Sequence, residues 1–342
     1  MQNEITTRQD LLDSNGNVAN PGWCRRNLYN YNIEKSKVSI MRLKEWDFYQ
    51  ICNGDIMLQI NFFNISLASC VTFGFVNLKT GEKFDNMSLE LYTPHKHRLN
   101  KNGDTKNRTV YKRGKTKIDF DVDEACHHLK YEGVSNGKKI TADFKCKRLP
   151  HHESITIVTP FDEPGHFFYT NKINCLETEG TLVVDSEVYK FYPENTYTVL
   201  DWGRGIWPYS NMWYWANGST KINDKIFGFE LTWGFGDTSN ATETAIFYDG
   251  ICHKISDVYL ENDPEIDDKW MEPWHFISTD GRLDLTMTPF YDNYSNLMPL
   301  NLFGMKTHQV HGKFNGTVTL DDGTVLEVKD MYAFCEKVYN KW

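Results

Sequence analysis

The residue types best suited to chemistry are concentrated in one short segment, from Asp201 to Trp215. An acid and an arginine, Asp201 and Arg204, stand there among glycines that let the backbone turn closely. A guanidinium can stack on indole faces and pair with a carboxylate, so we expect Asp201 and Arg204 to form an ion pair inside an aromatic cage. Such a cage would be either a structural plug that closes the end of a barrel or the wall of a pocket in which a charged group contacts the ligand. Four of the ten tryptophans supply its rings: Trp202, Trp207, Trp213 and Trp215.

A second group of candidate residues lies in the segment TETAIFYDG, residues 242–250. Glu243 shares a strand face there with Phe247, and Asp249 stands in the turn that follows. A carboxyl group buried against an aromatic side chain has a raised pKa, which is how a general acid is made. The alternative interpretation is that these acids are exposed at a rim. Together with Asp201, Glu243 and Asp249 are the candidate catalytic residues of this chain.

The side chains expected to bind a ligand include two residues near the end of the chain. His308 falls on an apolar face with Val310, where a core histidine is the simpler interpretation, and Gln309 falls on the polar face. Adjacent histidines such as His127 and His128 point to opposite faces of a strand, so the sequence predicts no metal site and no cofactor. The candidate ligand-binding residues are Arg204, Trp202, Trp207, Tyr209, Trp213, Trp215, His308 and Gln309.

These candidates stand in a chain whose hydrophobic pattern has a period of two. In the segment from Ile56 to Phe62 the apolar residues recur on one face, whereas Gln59 and Asn61 occupy the other. Asn-Gly and Asp-Gly dipeptides between such segments are typical of tight hairpins, because glycine readily adopts positive φ. Helical periodicity is nearly absent. Many short strands joined by tight turns predict an all-β fold of the sandwich or barrel type.

Composition and length narrow the class of protein further. The 37 Lys and Arg residues against 46 Asp and Glu residues give a formal charge of −9, which argues against nucleic acid as a partner. The 342 residues exceed the size at which a single core stops growing, and we place two domains at 1–178 and 179–342. No segment offers the ~20 apolar residues that span a bilayer, and no apolar export signal is recognisable. We therefore expect a cytoplasmic protein.

Residues 96–117 form a basic island in this acidic chain. They include nine Lys and Arg residues and a single acid, Asp104. A solvated hairpin or long loop would explain this composition, and so would a lip that binds anions. The sequence leaves the two interpretations open.

Several segments resemble a known family. The block VLDWGRGIWPYSNMWYWANGS (199–219) and the closing block HGKFNGTVTLDDGTVLEVKDMYAFCEK (311–337) resemble the bacterial domain-of-unknown-function 2804 family, and the similarity begins at NPGWCRRNLYNYN (20–32). More distantly, the order of the LVVD, FYPE and DWG motifs is similar to the lipocalin-like carotenoid 1,2-hydratase (hydroxyneurosporene synthase) and AttH-like group. This resemblance implies two calycin-type barrels in tandem, whose interiors can hold an apolar ligand. Because Arg204-Gly205 departs from the hydratase pattern, the hydratase's substrate does not carry over.

We therefore expect an all-β chain of two tandem lipocalin-like (calycin-type) antiparallel β-barrels, with the site in the second barrel beside residues 201–215. An eight-stranded barrel either holds one small ligand or fills with side chains. The leading hypothesis is a protein that binds a small apolar or amphipathic molecule, with acid–base catalysis of the hydratase, isomerase or cyclase type if it is an enzyme. One alternative is a carbohydrate-active or carbohydrate-binding protein with paired carboxylates and aromatic platforms. The other is a structural or interaction protein whose aromatic cluster is sealed core.

Overall fold

The computed structural model describes residues 2–342 and confirms the all-β prediction. The strands, in chain order, are β1 (Gln9–Asp10), β2 (Trp23–Cys24), β3 (Tyr29–Asn30), β4 (Leu43–Cys52), β5 (Ile56–Asn64), β6 (Ala68–Asn77), β7 (Lys83–Leu91), β8 (Asn107–Arg113), β9 (Thr116–Val122), β10 (Cys126–Ser135), β11 (Lys138–Lys147), β12 (Ile155–Pro160), β13 (Phe167–Val184), β14 (Glu187–Phe191), β15 (Tyr197–Ile206), β16 (Ser210–Ile222), β17 (Lys225–Trp233), β18 (Glu243–Tyr248), β19 (Ile251–Lys254), β20 (Val258–Leu260), β21 (Trp274–Ser278), β22 (Leu283–Asp292), β23 (Ser295–Leu297), β24 (Gly304–Thr319) and β25 (Val325–Lys341). Short 3-10 helices cover Ile33–Lys35, Ile40–Arg42, Ile266–Asp268 and Pro299–Asn301. No helix among residues 2–342 is long and apolar enough to cross a membrane.

The first sheet curls into a barrel in the order β7-β6-β5-β4-β15-β13-β11-β10-β9-β8, and β7 packs against β10 to bring its ends together. Its interior follows the period-two pattern of the sequence. In β5, Leu58 and Ile60 are fully buried in the core of this barrel, whereas Gln59 between them points away from it. The predicted one-sided strand is therefore present, and its polar face is free to meet another part of the protein.

The second sheet has the order β19-β18-β17-β16-β25-β24-β22-β21-β20, and β20 packs against β17. Aromatic side chains fill its interior. The ring centroid of Phe314 lies 5.2 Å from that of Phe229 and 5.3 Å from that of Phe276, and all three side chains are fully buried. This barrel therefore has a packed core at the level of these rings.

The chain passes from the first sheet to the second between Ile206 and Ser210. The domain boundary that we expected near residue 178 lies inside β13, which pairs with both β11 and β15 of the first sheet. Residues 193–195 are part of the turn between β14 and β15 of the same sheet. The Asp201 to Ile206 segment consequently belongs to the first barrel rather than the second.

The two barrels pack through their outer faces. In β4, Tyr49 points into the first core and Phe48 points outward; in β16, Tyr214 points into the second core and Trp215 points outward. The ring centroids of Phe48 and Trp215 lie 5.5 Å apart. Strand alternation thus brings large aromatic side chains from both barrels into the space between them.

The basic island is a loop followed by the β8–β9 hairpin. Arg108 of β8 pairs with Asp119 of β9 at 2.6 Å, and Lys117 lies 3.5 Å from Glu132 of β10. These contacts neutralise part of the basic charge within the hairpin and its neighbour. The arrangement agrees with the solvated-hairpin interpretation.

Candidate functional site

A cavity of about 300 Å³ lies between the two barrels. Its lining comes from outward-facing positions of both sheets, which explains why neither barrel's inward-facing sequence pattern reveals it. We expected the site in the second barrel, where Phe229, Phe276 and Phe314 pack together; the cavity that contains candidate residues lies between the barrels. Nine aromatic side chains form the largest apolar part of the cavity wall: Trp46, Phe48, Phe63, Phe168, Trp207, Trp213, Trp215, Phe235 and Trp342.

Strand geometry separates the two charged residues that the sequence suggested as a pair. Asp201 and Arg204 are three residues apart in β15, so their side chains point to opposite faces of the sheet. Asp201 lines the cavity, whereas Arg204 points into the first barrel beside Trp202. Between them, a Cβ atom at Gly203 would lie 2.1 Å from the ring of Trp46, so this position requires glycine to let the indole pack against the strand. The expected Asp201–Arg204 ion pair is therefore wrong.

Arg204 forms a buried ion pair with Asp47 inside the first barrel. Its Nη2 atom lies 2.8 Å from Oδ1 of Asp47 and 3.0 Å from the carbonyl oxygen of Asn100. The guanidinium lies 4.0 Å from the ring centroid of Trp202, whose indole N–H donates to the side chain of Asn100 at 2.8 Å. Because Arg204 is fully buried and absent from the cavity wall, neither it nor Trp202 contacts the cavity in this structure.

A cluster of buried charged groups lies at the cavity wall, centred on Lys172 of β13. Its Nζ atom lies 3.2 Å from Oδ1 of Asp201, 3.2 Å from Oε1 of Glu243 and 3.6 Å from Oε1 of Glu230. The same ammonium lies 4.1 Å from the ring centroid of Trp215. Lys172 and Asp201 come from the first barrel, while Glu230 and Glu243 come from β17 and β18 of the second. The cluster therefore joins the barrels electrostatically.

Fixed donors orient two of these carboxyl groups. The indole N–H of Trp46 donates to Oδ2 of Asp201 at 3.0 Å. Glu230 accepts hydrogen bonds from the indole of Trp215 and, at 2.9 Å, from the side-chain amide of Asn217. Burial raises the pKa of Glu230 to about 7 even though Lys172 opposes the shift.

Glu243 is less completely satisfied than its neighbours. Its Oε1 atom accepts from the hydroxyl of Thr232 at 3.0 Å, but its buried Oε2 atom has no hydrogen-bond partner among the described residues. Burial raises the pKa of Glu243, and the ammonium of Lys172 acts against that rise. Burial alone would lower the pKa of Lys172, yet the surrounding carboxylates raise it, so the lysine stays charged. Glu243 is thus the carboxyl with a free oxygen for a proton.

Glu336 of β25 is a further acid in the cavity wall. The indole N–H of Trp213 donates to its Oε1 atom and the amide of Gln309 donates to its Oε2 atom, each at 3.1 Å. Gln309 in turn accepts from Gln59 of the first barrel at 3.0 Å. Burial raises the pKa of Glu336 to about 7 despite these donors. Glu336 was not among the predicted site residues, although an acid between Phe334 and Val338 on one strand face is a recognisable signal.

The other predicted site residues divide between the cavity and distant positions. Trp207, Trp213, Trp215 and Gln309 line the cavity with Asp201 and Glu243. Besides Arg204 and Trp202, three predicted residues lie outside the cavity. The half-exposed Tyr209 donates its hydroxyl to the carbonyl of Leu302, and Asp249 pairs with Lys225 in a hairpin turn. His308 stacks on Trp270 and pairs with Asp292. Within residues 2–342, no group of three or more His, Cys, Asp or Glu residues is arranged to hold a metal ion.

The charge balance of the site defines its chemistry. Asp201, Glu230, Glu243 and Glu336 are four buried carboxyl groups, and Lys172 is the ammonium among them. Burial raises the pKa values of Glu230, Glu243 and Glu336, and nearby carboxylates add to the rise, so these groups hold protons more tightly than exposed carboxyl groups do. The cavity therefore combines aromatic surface with buried carboxyl groups that have raised pKa values.

Comparisons with known proteins agree with this architecture. A family model described as "Domain of unknown function (DUF2804)" matches residues 2–342, and a comparison with curated proteins finds no match. Among solved structures, kievitone hydratase from Nectria haematococca superposes with a TM-score of 0.50 at 14% identity, covering 87% of this chain and 89% of that chain. A putative AttH from Nitrosomonas europaea gives a TM-score of 0.52 at 12% identity, covering 86% of this chain and 92% of that chain. These likenesses confirm the lipocalin-like fold.

Proposed function

The chain belongs to the domain-of-unknown-function 2804 family, and from that premise we propose that it binds a mainly apolar small molecule between its two barrels and transfers protons to and from it. The reaction class is hydration, isomerisation or cyclisation. One observation carries the proposal. The wall of a cavity of about 300 Å³ combines aromatic side chains with buried carboxyl groups, and these carboxyl groups outnumber the ammonium of Lys172 that neutralises them.

Each part of the cavity has a role in such a reaction. Glu243 carries the transferable proton, because its Oε2 atom is unpaired among the described residues and its pKa is raised. Asp201, held by Lys172 and the indole of Trp46, is the partner that accepts a proton or orients a water molecule. Indole faces stabilise positive charge that develops on an apolar substrate. The hydratase named among the similar structures supports hydration as one member of this class.

Carbohydrate chemistry is supported less well. A glycosidase needs two carboxyl groups that flank the bond to be broken. Here the ammonium of Lys172 lies 3.2 Å from both Asp201 and Glu243, so it occupies the space between them.

The alternative of a sealed aromatic core is also supported less well. Trp207 and Trp215 are buried, as that hypothesis requires, but the cavity remains open beside them. An open cavity next to unpaired carboxyl oxygen is more consistent with a bound small molecule than with a finished core.

The test combines ligand capture with isotope exchange. Protein purified without detergent is extracted and analysed by mass spectrometry, and tryptophan fluorescence is titrated with terpenoid alcohols and fatty acids. Molecules that bind are then incubated with the protein in D₂O. We expect fluorescence changes on binding and incorporation of deuterium or addition of water to an alkene ligand.

Two variants separate ligand binding from proton transfer in this test. Glu243→Gln keeps the shape of the side chain but removes its proton, so binding should persist while deuterium incorporation is lost. Asp249→Asn is the matched control, because Asp249 lies in a turn outside the cavity and should change neither. An extract without any small molecule, together with unchanged fluorescence for every ligand, would overturn the proposal.

A further inference from the structure

One wall of the cavity is an uncharged loop that carries exposed apolar side chains. The segment 293–305, here called the apolar loop, contains no Asp, Glu, Lys, Arg or His residue. Asn293, Ser295 and Met305 line the cavity from its two ends. β23, within the loop, pairs with the start of β24, so both ends of the segment are fixed to the second barrel. The loop therefore separates the cavity from solvent on this side.

The middle of the apolar loop presents its side chains to solvent. The exposed fractions are 62% for Leu297, 89% for Leu300, 61% for Leu302 and 40% for Phe303. Leu300 has a φ of 52°, a conformation that is sterically costly for a residue with a bulky side chain. The backbone thus adopts a strained turn in which a leucine points away from the protein. A cluster of this kind beside a ligand cavity indicates an interaction surface.

Lysines surround the base of this apolar loop. Nζ of Lys83 donates to the side chain of Asn293 at 3.3 Å, and Nζ of Lys341 donates to the carbonyl oxygen of Asn301 at 3.0 Å. Lys306 follows the loop directly and pairs in register with Asn296. Within residues 2–342 none of these three lysines forms an ion pair with a carboxylate. In a chain with a formal charge of −9, this is a local basic rim around an apolar tip.

We propose that the apolar loop docks on an anionic lipid surface and that the ligand of the cavity is exchanged with that surface. This inference rests on the proposed function, because it assigns the source of the apolar ligand. Leucine side chains that enter the boundary between headgroups and acyl chains lose contact with water, while lysines at the rim meet lipid phosphates. A molecule of low water solubility then passes between membrane and cavity along the loop that forms the cavity wall.

The experiment is flotation of the full chain with vesicles. One set contains phosphatidylcholine alone, and the other contains phosphatidylcholine and phosphatidylglycerol in equal amounts. The unaltered chain should float with the anionic vesicles and much less with the neutral ones. Leu300→Ser with Leu302→Ser should reduce the vesicle affinity by at least about tenfold, because each substitution removes methylene and methyl groups from the lipid contact.

Three controls keep the outcome interpretable. Leu91→Ser alters a leucine that is 72% exposed on β7 of the first barrel, and it should leave flotation unchanged. Lys306→Gln with Lys341→Gln should lower binding to anionic vesicles and leave the weak binding to neutral vesicles unaltered. Thermal melting of every variant confirms that the fold is retained.

The result also separates this inference from the proposed function. The loop variant should bind a water-soluble terpenoid alcohol in vesicle-free buffer as the unaltered chain does, which tests the cavity alone. Ligand binding without flotation would overturn the docking proposal only. If sedimentation velocity shows a dimer that disappears in the loop variant, the loop contacts a second copy of this chain, and the lipid surface is wrong as the partner.

Discussion

The Nζ atom of Lys172 of the first barrel lies 3.2 Å from Oε1 of Glu243 of the second, so a buried ammonium–carboxyl contact connects the two halves of the chain. The same ammonium lies 3.2 Å from Asp201, which belongs to the cavity wall on the first barrel's side. Removing the cation would leave buried carboxyl groups facing one another across the interface. The free energy of unfolding should therefore depend strongly on this side chain.

We predict that Lys172→Met lowers the free energy of unfolding by about 3–5 kcal/mol, the usual cost of leaving a buried charge without its partner. Urea unfolding at neutral pH measures this change. Lys221→Met is the matched control, since Lys221 pairs with Glu177 at 2.8 Å but is 36% exposed, and such pairs contribute less than about 1 kcal/mol. Adding Glu243→Gln to Lys172→Met should restore part of the loss. Equal effects of the two lysine substitutions would contradict the prediction.

Glu336 should make stability depend on pH. Burial raises the pKa of Glu336 from an ordinary value of 4.5 to about 7, so the folded state binds its proton more tightly than the unfolded state does. The stabilisation is fully present below pH 4.5 and is lost as the pH rises to about 7. The loss approaches roughly 1.4 kcal/mol per pH unit, and roughly 3 kcal/mol in total.

The measurement compares Glu336→Gln with the unaltered chain in urea at several pH values from acid to neutral. As the pH rises to about 7, the unaltered chain should lose stability relative to Glu336→Gln. Above that pH the difference in unfolding free energy between the two proteins should stay constant. Using the difference cancels the titration of the buried His127 and His311, whose pKa values burial lowers to about 3. A difference that does not change with pH would show that Glu336 ionises normally in the folded protein.

The sequence predicted the fold because the relevant signals are local. The alternation in β5 and the turn dipeptides of the hairpins determine which face of each strand is buried, and neither needs knowledge of distant residues. The site was predicted only in part. Trp207, Trp213, Trp215 and Glu243 line the cavity, but the same alternation that predicted strands also requires Asp201 and Arg204 to point in opposite directions.

The charged residues that were not predicted from the sequence come together through contacts between the two barrels. Lys172 meets Glu230 and Glu243 only because the outer faces of β13, β17 and β18 approach one another. Lys172 is more than fifty positions from either glutamate in the chain, and hydrophobic periodicity carries no information about such packing. Glu230 nevertheless stands between Phe229 and Leu231 in β17, and a charged residue between two apolar ones in a strand is a signal that the sequence does contain.

Arg204→Ala tests the reassignment of the arginine from the cavity to the first barrel. Asp47 would lose the partner that lies 2.8 Å away, so the free energy of unfolding should fall by about 3–5 kcal/mol. Ligand affinity of the folded fraction, measured by tryptophan fluorescence, should stay unchanged because Arg204 does not line the cavity. Arg108→Ala, at an exposed pair with Asp119, should have little effect on either quantity. Lost affinity with unchanged stability would restore the arginine as a ligand anchor.

Trp213→Phe isolates the hydrogen bond to Glu336 from the shape of the cavity. The phenyl ring keeps an aromatic wall, while Oε1 of Glu336 loses the indole donor at 3.1 Å. Donors favour the ionised carboxyl, so the pKa of Glu336 should rise further, by about one unit for a hydrogen bond of about 1.4 kcal/mol. Infrared difference spectra against Glu336→Gln follow the protonated carboxyl band with pH. Trp46→Phe, which removes the donor to Asp201 instead, should leave that midpoint in place. A midpoint that moves equally in both tryptophan variants would mean that Glu336 responds to the cavity as a whole rather than to its own donor.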